Sequence, residues 1–214
     1  MLSDYAAIKN GSYGKLMKAY YAKQDAEKLS GKGDTSQKLT LMKTSADSLK
    51  KSADALNDSS LWEKKKIKKK DEKTGEEIAV EDYDWDKITK AVKSFVEDYN
   101  DVVREAGESN TKDVLRNASW MTGMTDKNSN MLAKIGITIG KGNKLELDED
   151  ALKQADISSL KTIFTGYNSF VSKISQKATG ISNAANRASA TYTNNGTYSK
   201  TDSSLTSSKI DKEV

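Results

Sequence analysis

The chain has 214 residues, of which 36% are apolar and 31% charged, and its 35 basic and 31 acidic side chains leave a net charge of +4. That length admits one or two domains with a real core, while a mean hydropathy of -0.74 suits long helices, which carry much surface per residue. Without Cys or His there is no disulfide framework, thiol nucleophile, imidazole base or Cys/His metal site, and without Pro the chain reads as a few long, unbroken helices.

Residues 3 to 28 read as a first helix with a patchy apolar face (Ile8, Leu16, Ala19, Tyr20), followed by the Ser30-Gly31-Lys32-Gly33 turn. Asp34 and Gln37 have the spacing of a capping box opening a second helix. Its apolar positions Leu39, Met42, Ala46, Leu49, Ala53 and Leu56 step 3-4-3-4-3, an a/d seam. The seam ends near Asn57 to Ser60. Residues 1 to 60 thus form an N-terminal helical hairpin.

Residues 61 to 86 change character. Lys64–Lys66 and Lys68–Lys70 form a basic run, and Glu76, Glu77, Glu81, Asp82, Asp84 and Asp86 follow a Thr74-Gly75 turn. The halves either pair as a charged hairpin or stay a mobile loop. Ile67, Ile78, Val80, Tyr83 and Trp85 favour the hairpin. Residues 63 to 84 hold seven Lys and eight acids, so the run reads as a solvated, self-neutralised surface and not as a phosphate or membrane site.

A bundle helix follows over 87–110, beginning near Trp85, with Ile88, Val92, Phe95, Tyr99, Val102 and Ala106 on its seam and Gly107 placed as its C-terminal cap. Residues 111–165 read as a small α+β subdomain. It opens with a short helix broken around Thr122-Gly123. Ile135, Ile137 and Ile139 then alternate, turn at Gly140 to Asn143, and return through Leu145 and Leu147 as a β-hairpin. Asp148 and Asp156 are spaced as N-caps, which leaves Asp148, Glu149 and Asp150 without the spacing of a Ca²⁺ loop. A long C-terminal helix over 157–192 carries Leu160, Ile163, Tyr167, Phe170, Ile174, Ala178 and Ile181, and residues 193–214 form a polar, flexible tail.

Several of these segments resemble one family. Val92 to Asn100 is similar to the "fV..YN" stretch that opens the C-terminal region of flagellar hook-associated protein 2, the filament cap. Leu132 to Ile137, Lys144 to Glu149 with Leu152, and Leu160, Ile163-Phe164 and Gly166 resemble the "L..iGI", "G.L.lDe..L" and "v..lF.g" elements, in order and at similar spacing. The resemblance covers the C-terminal half. The family's N-terminal pattern does not stand out in residues 1 to 60, and only the charged segment 61–86 occupies the place of its head domains. It therefore implies a reduced or divergent cap-like protein.

The expected fold is mainly α, with long antiparallel helices in a coiled-coil bundle and a small α+β subdomain containing a β-hairpin. The expected function is structural, with no catalysis and no cofactor. Leu39, Met42, Leu49, Leu56, Ile88, Phe95, Tyr99, Ile163, Phe170, Ile174 and Ile181 are the expected interface. The resemblance implies protein partners, either further copies or flagellar axial proteins, and an oligomer in the functional state; the interspersed charges read as a mixed-sign surface and so point to no nucleic acid. The resemblance also implies an extracellular place at the flagellum or cell surface. Met1 to Tyr5 lacks the start of a cleaved signal peptide, and no run approaches the ~20 apolar residues that span a membrane. The alternative is a cytoplasmic helical adaptor or export-chaperone-like module.

Overall fold

A computed structural model of the chain describes residues 33–70 and 77–191. The expected helix over 3–28, the Thr74-Gly75 turn and the tail over 193–214 lie outside these residues. Helix α1, Ser36–Asn57, forms on its 3-4 apolar spacing and buries Leu39, Met42, Ala46, Leu49, Ala53 and Leu56. Its N-cap is Thr35, whose Oγ1 accepts from Lys38 N at 3.3 Å. Asp34 is not the cap that the sequence pattern suggested, because its carboxylate is engaged across the molecule. A 3₁₀ turn, Ser59–Trp62, closes the helix, and the buried Trp62 indole donates to Leu56 O at 2.8 Å.

The charged segment forms an antiparallel ribbon of β1 (Lys65–Lys70) and β2 (Glu77–Asp82), with Ile67 opposite Val80. Helix α2, Trp85–Glu108, starts on Asp84, which accepts from Lys87 N at 3.1 Å. It runs through Gly107, so that glycine is an interior residue and not the expected cap. Helix α3, Lys112–Lys127, is likewise unbroken at Thr122-Gly123; the break falls at Asn128, before the short α4, Ser129–Ala133. Strands β3 (Ile137–Ile139) and β4 (Leu145–Leu147) pair antiparallel around a 3₁₀ turn, Lys141–Asn143. Helices α5 (Glu149–Gln154) and α6 (Ile157–Phe164) begin on Asp148 and Asp156, whose carboxylates accept from Ala151 N and Ser159 N at 2.9 and 3.0 Å.

Helix α7 spans Phe170–Thr191. The continuous helix expected over 157–192 is therefore two helices. Gly166 at φ +97° turns the chain between them, which carries Tyr167 out of the apolar stripe into solvent, 83% exposed.

Side-chain contacts fix the helix directions. Asp54 bonds Ser175 and Asp47 bonds Ser182, so α1 and α7 are antiparallel. Asp34 reaches Ser109 while α1 packs on α2, so these two are antiparallel as well. Asp113 meets Arg187, and Trp120 lies under Lys177, which sets α3 antiparallel to α7. Among the described residues, the result is an up-down-up-down four-helix bundle of α1, α2, α3 and α7. Helix α3 thus belongs to the bundle, not to the small subdomain in which the sequence reading placed it. The β1–β2 ribbon and the segment 128–169 both leave from one end. Gly33, the α2–α3 turn and the end of α7 lie at the other. Leu132, Ile135, Ile137, Leu145, Leu152 and Phe164 join the same buried cluster as the bundle helices, so the inserted segment is packed onto the bundle and has no separate core.

Candidate functional site

The eleven seam residues come together inside the chain. Leu39, Met42, Leu49 and Leu56 of α1, Ile88, Phe95 and Tyr99 of α2, Ile163 of α6, and Phe170, Ile174 and Ile181 of α7 are all buried in one cluster. The Phe95 ring lies 6.3 Å from both Tyr99 and Phe170, tilted against the first and edge-on to the second. The Tyr99 hydroxyl bonds Thr125 Oγ1 at 3.0 Å, and full burial pushes the phenol well above its ordinary range.

Along the edge of this seam runs a polar repeat. Asp47 accepts from Ser182 Oγ at 2.6 Å and from Lys43 Nζ at 2.7 Å; one heptad on, Asp54 accepts from Ser175 Oγ at 2.7 Å and from Lys50 Nζ. Burial raises both carboxyls, but the lysine and serine hydrogen bonds outweigh it and hold them below the usual carboxylate range. A step of +7 on α1 matches a step of −7 on α7, so the pairs set the register of the two helices.

The open end is closed by Asp34. Its side chain, 1% exposed, accepts from Asn110 N and Thr111 N at 2.9 Å, from Thr111 Oγ1 at 2.7 Å and from Ser109 Oγ at 2.6 Å. Burial raises its carboxyl, yet these hydrogen bonds together leave it lowered. Thr111, the N-cap of α3, makes no side-chain cap of its own. Asp34 satisfies this turn from 77 residues away.

At the other end the segments that carry the family resemblance meet. Asn100 donates from Nδ2 to Leu145 O at 2.9 Å and accepts from Leu145 N at 2.7 Å. The amide thus stands where a further strand would stand beside β4. Gly136, at φ +79°, accepts from Asp148 N at 2.8 Å, and a Cβ there would lie 2.6 Å from Asp148 O. Gly166 donates to Asn57 Oδ1 at 2.8 Å, while Phe164 stacks on Trp62 with centroids 5.4 Å apart. Asn100, Phe164 and Gly166 therefore dock the inserted segment onto the bundle, while Gly136 holds β3 against the start of α5 within it.

Sequence periodicity did not mark Leu41 or Trp120 as exposed, and it set Tyr167 on the buried stripe. Leu41, Trp120, Met131 and Tyr167 face solvent, with the Lys177 ammonium 4.7 Å from the centre of the Trp120 ring. A shallow pocket lies among Met131, Lys134, Ser159, Thr162 and Ile163. Tyr83 packs edge-on to Trp85 at 6.5 Å, with Lys64 and Lys161 near its ring, so this aromatic pair is occupied by its own surroundings. Among the described residues, no helix is long and apolar enough to cross a membrane.

Residues 109–213 match the family model of the flagellar hook-associated protein 2 C-terminus. No curated protein and no solved structure gives a significant match.

Proposed function

Because the C-terminal half of this chain belongs to the flagellar hook-associated protein 2 family, we propose that the protein is a structural subunit of a cap-like assembly on the bacterial flagellum. The match over 109–213 carries this reading. One feature supports it: among the described residues, the elements bearing the family pattern are built into one bundle with α1 and α2. In this reading the bundle is a rigid strut. Its seam residues, from Leu39 to Ile181, hold the helices in the geometry from which subunits meet, by coiled-coil contacts with further copies or with axial proteins.

The subunit acts outside the cell and carries out no catalysis. Shearing appendages from the host's cells and probing filament, medium and cell fractions with an antibody to this chain tests the reading. Signal in the filament or medium is expected. Signal confined to the cytoplasm would overturn it in favour of a helical adaptor or export-chaperone-like module.

A further inference from the structure

The β1–β2 ribbon is two strands wide, and among the described residues no third strand covers either edge. Such a ribbon buries little apolar surface and is marginal in water, and its outer edges can serve as templates for a further strand. Its charge is divided by strand. Strand β1, Lys-Lys-Ile-Lys-Lys-Lys, has no acid, and β2, Glu-Ile-Ala-Val-Glu-Asp, has no base. Inside the ribbon the two sets face each other: Lys65 stands opposite Asp82, Lys66 opposite Glu81 and Lys70 opposite Glu77, while Lys68 Nζ lies 3.2 Å from Glu77 Oε2.

Two copies can bring these edges together in three ways. Pairing β1 with β1 sets lysines against lysines, and pairing β2 with β2 sets acids against acids. Like charges directly opposed across strands are destabilising. Pairing β1 with the β2 of a second copy, antiparallel and in the register already used within the ribbon, repeats the same partners: lysine on carboxylate, and Ile67 on Val80. A lysine-lined edge repels strands in general, but not one carrying acids at matching positions.

We propose that the ribbon is a self-complementary assembly contact, in which β1 of one copy adds to β2 of the next. The first two pairings are isologous and would stop at a dimer. This one is heterologous and propagates head to tail, closing as a ring or continuing as a helical array. The inference rests on the assembly reading above and names one of its contacts.

A charge-exchanged full-length chain, with Lys66→Glu, Lys68→Glu, Lys70→Glu, Glu77→Lys and Glu81→Lys, reverses the sign of each opposed pair at positions 66/81, 68/77 and 70/77 and leaves Lys65 opposite Asp82, so every pairing inside the ribbon stays attractive. It therefore folds and self-associates as the wild type does. Its β1 is repelled by wild-type β2, and its β2 by wild-type β1. When both forms are mixed, allowed to exchange and weighed by native mass spectrometry, pure oligomers of each are expected and mixed ones are absent. Mixed oligomers at the statistical ratio overturn the proposal, as does a wild-type chain that stays monomeric. If the exchanged chain fails to fold, salt decides with the wild type alone. Self-association about tenfold weaker at high than at low ionic strength supports the edge pairing, and salt-independent association overturns it. A chain found in the filament whose two forms mix freely loses the edge pairing but keeps the assembly reading. A chain confined to the cytoplasm whose forms still sort keeps the pairing and loses the flagellar role.

Discussion

The side-chain amide of Asn100 forms two hydrogen bonds with the backbone of Leu145, at 2.9 and 2.7 Å, joining the second bundle helix to the hairpin 45 residues later. A primary amide sets N–H donors beside a carbonyl acceptor in one plane, so Asn and Gln side chains can imitate a strand's main chain in this way. Asn100→Ala leaves both backbone groups of Leu145 without that partner and is expected to cost about 1–3 kcal/mol. Thermal denaturation measures the loss. Hydrogen exchange reports whether it begins at Leu145, and unchanged protection there would refute the docking role.

Gly136→Ala is expected to be worse. The new Cβ meets Asp148 O at 2.6 Å and must adopt φ +79°, a combination worth on the order of 2–4 kcal/mol. Urea titration of the variant decides it. A midpoint equal to wild type would mean that β3 and α5 separate at little cost.

Much of this organisation was legible in the residues, and the parts that were not share a cause. The apolar spacing of α1 and α2, the alternation of Ile137 and Ile139 against Leu145 and Leu147, and the caps at Asp148 and Asp156 are local signals, and the structure follows them. Asp34 was misread because a local partner, Gln37, was available, whereas its true partners lie across the bundle at Ser109 to Thr111. The helix expected over 157–192 breaks because Gly166 takes a positive φ, and the apolar stripe runs across that turn without showing it. Periodicity placed the eleven seam residues on apolar faces. It could not say whether those faces meet inside one chain, as they do here, or between chains. The docking role of Asn100 was invisible for a similar reason: a polar residue on a helix declares no partner 45 residues away.

Acid should open the end that Asp34 closes. Its folded-state carboxyl lies below the ordinary 3.8, so its contribution is present above that value and is lost as pH falls through the folded one. Asp47 and Asp54 are lowered too and act in the same direction. Stability is therefore expected to fall below about pH 4, with Asp34→Ala flattening that limb and costing about 1–3 kcal/mol at neutral pH. Equal acid slopes in the variant and wild type would contradict this.

Asp98 works the other way. Burial raises its carboxyl, and Asp101 and Glu97 add to this against the hydrogen bond with Ser52. The stability tied to it is full below its unfolded pKa and is lost as pH rises through the folded one. Asp98→Asn should hence stabilise the chain at neutral pH, by less than about 1 kcal/mol for a half-buried group, and the gain should vanish in acid. A destabilised variant at pH 7 would show that the ionised form is the favoured one.

Leu49→Asp and Ile174→Asp each place a charge at a fully buried position of the α1–α7 seam. Each is expected to cost on the order of 4 kcal/mol or more, with loss of helicity and of assembly. Circular dichroism and mass in solution unchanged in both variants would defeat the bundle account and the assembly reading that rests on it.

Lys65 and Asp82, the first and last residues of the ribbon, stand opposite each other, so the bundle receives the chain back where it releases it. The entropy of closing an excursion grows only with the logarithm of its length. The stretch between these two residues is therefore an exchangeable cassette: a larger module could replace it without moving a helix, and shortening it would leave the packing beneath unaltered. Evolution can thus vary what the strut presents at its tip independently of how the strut is built.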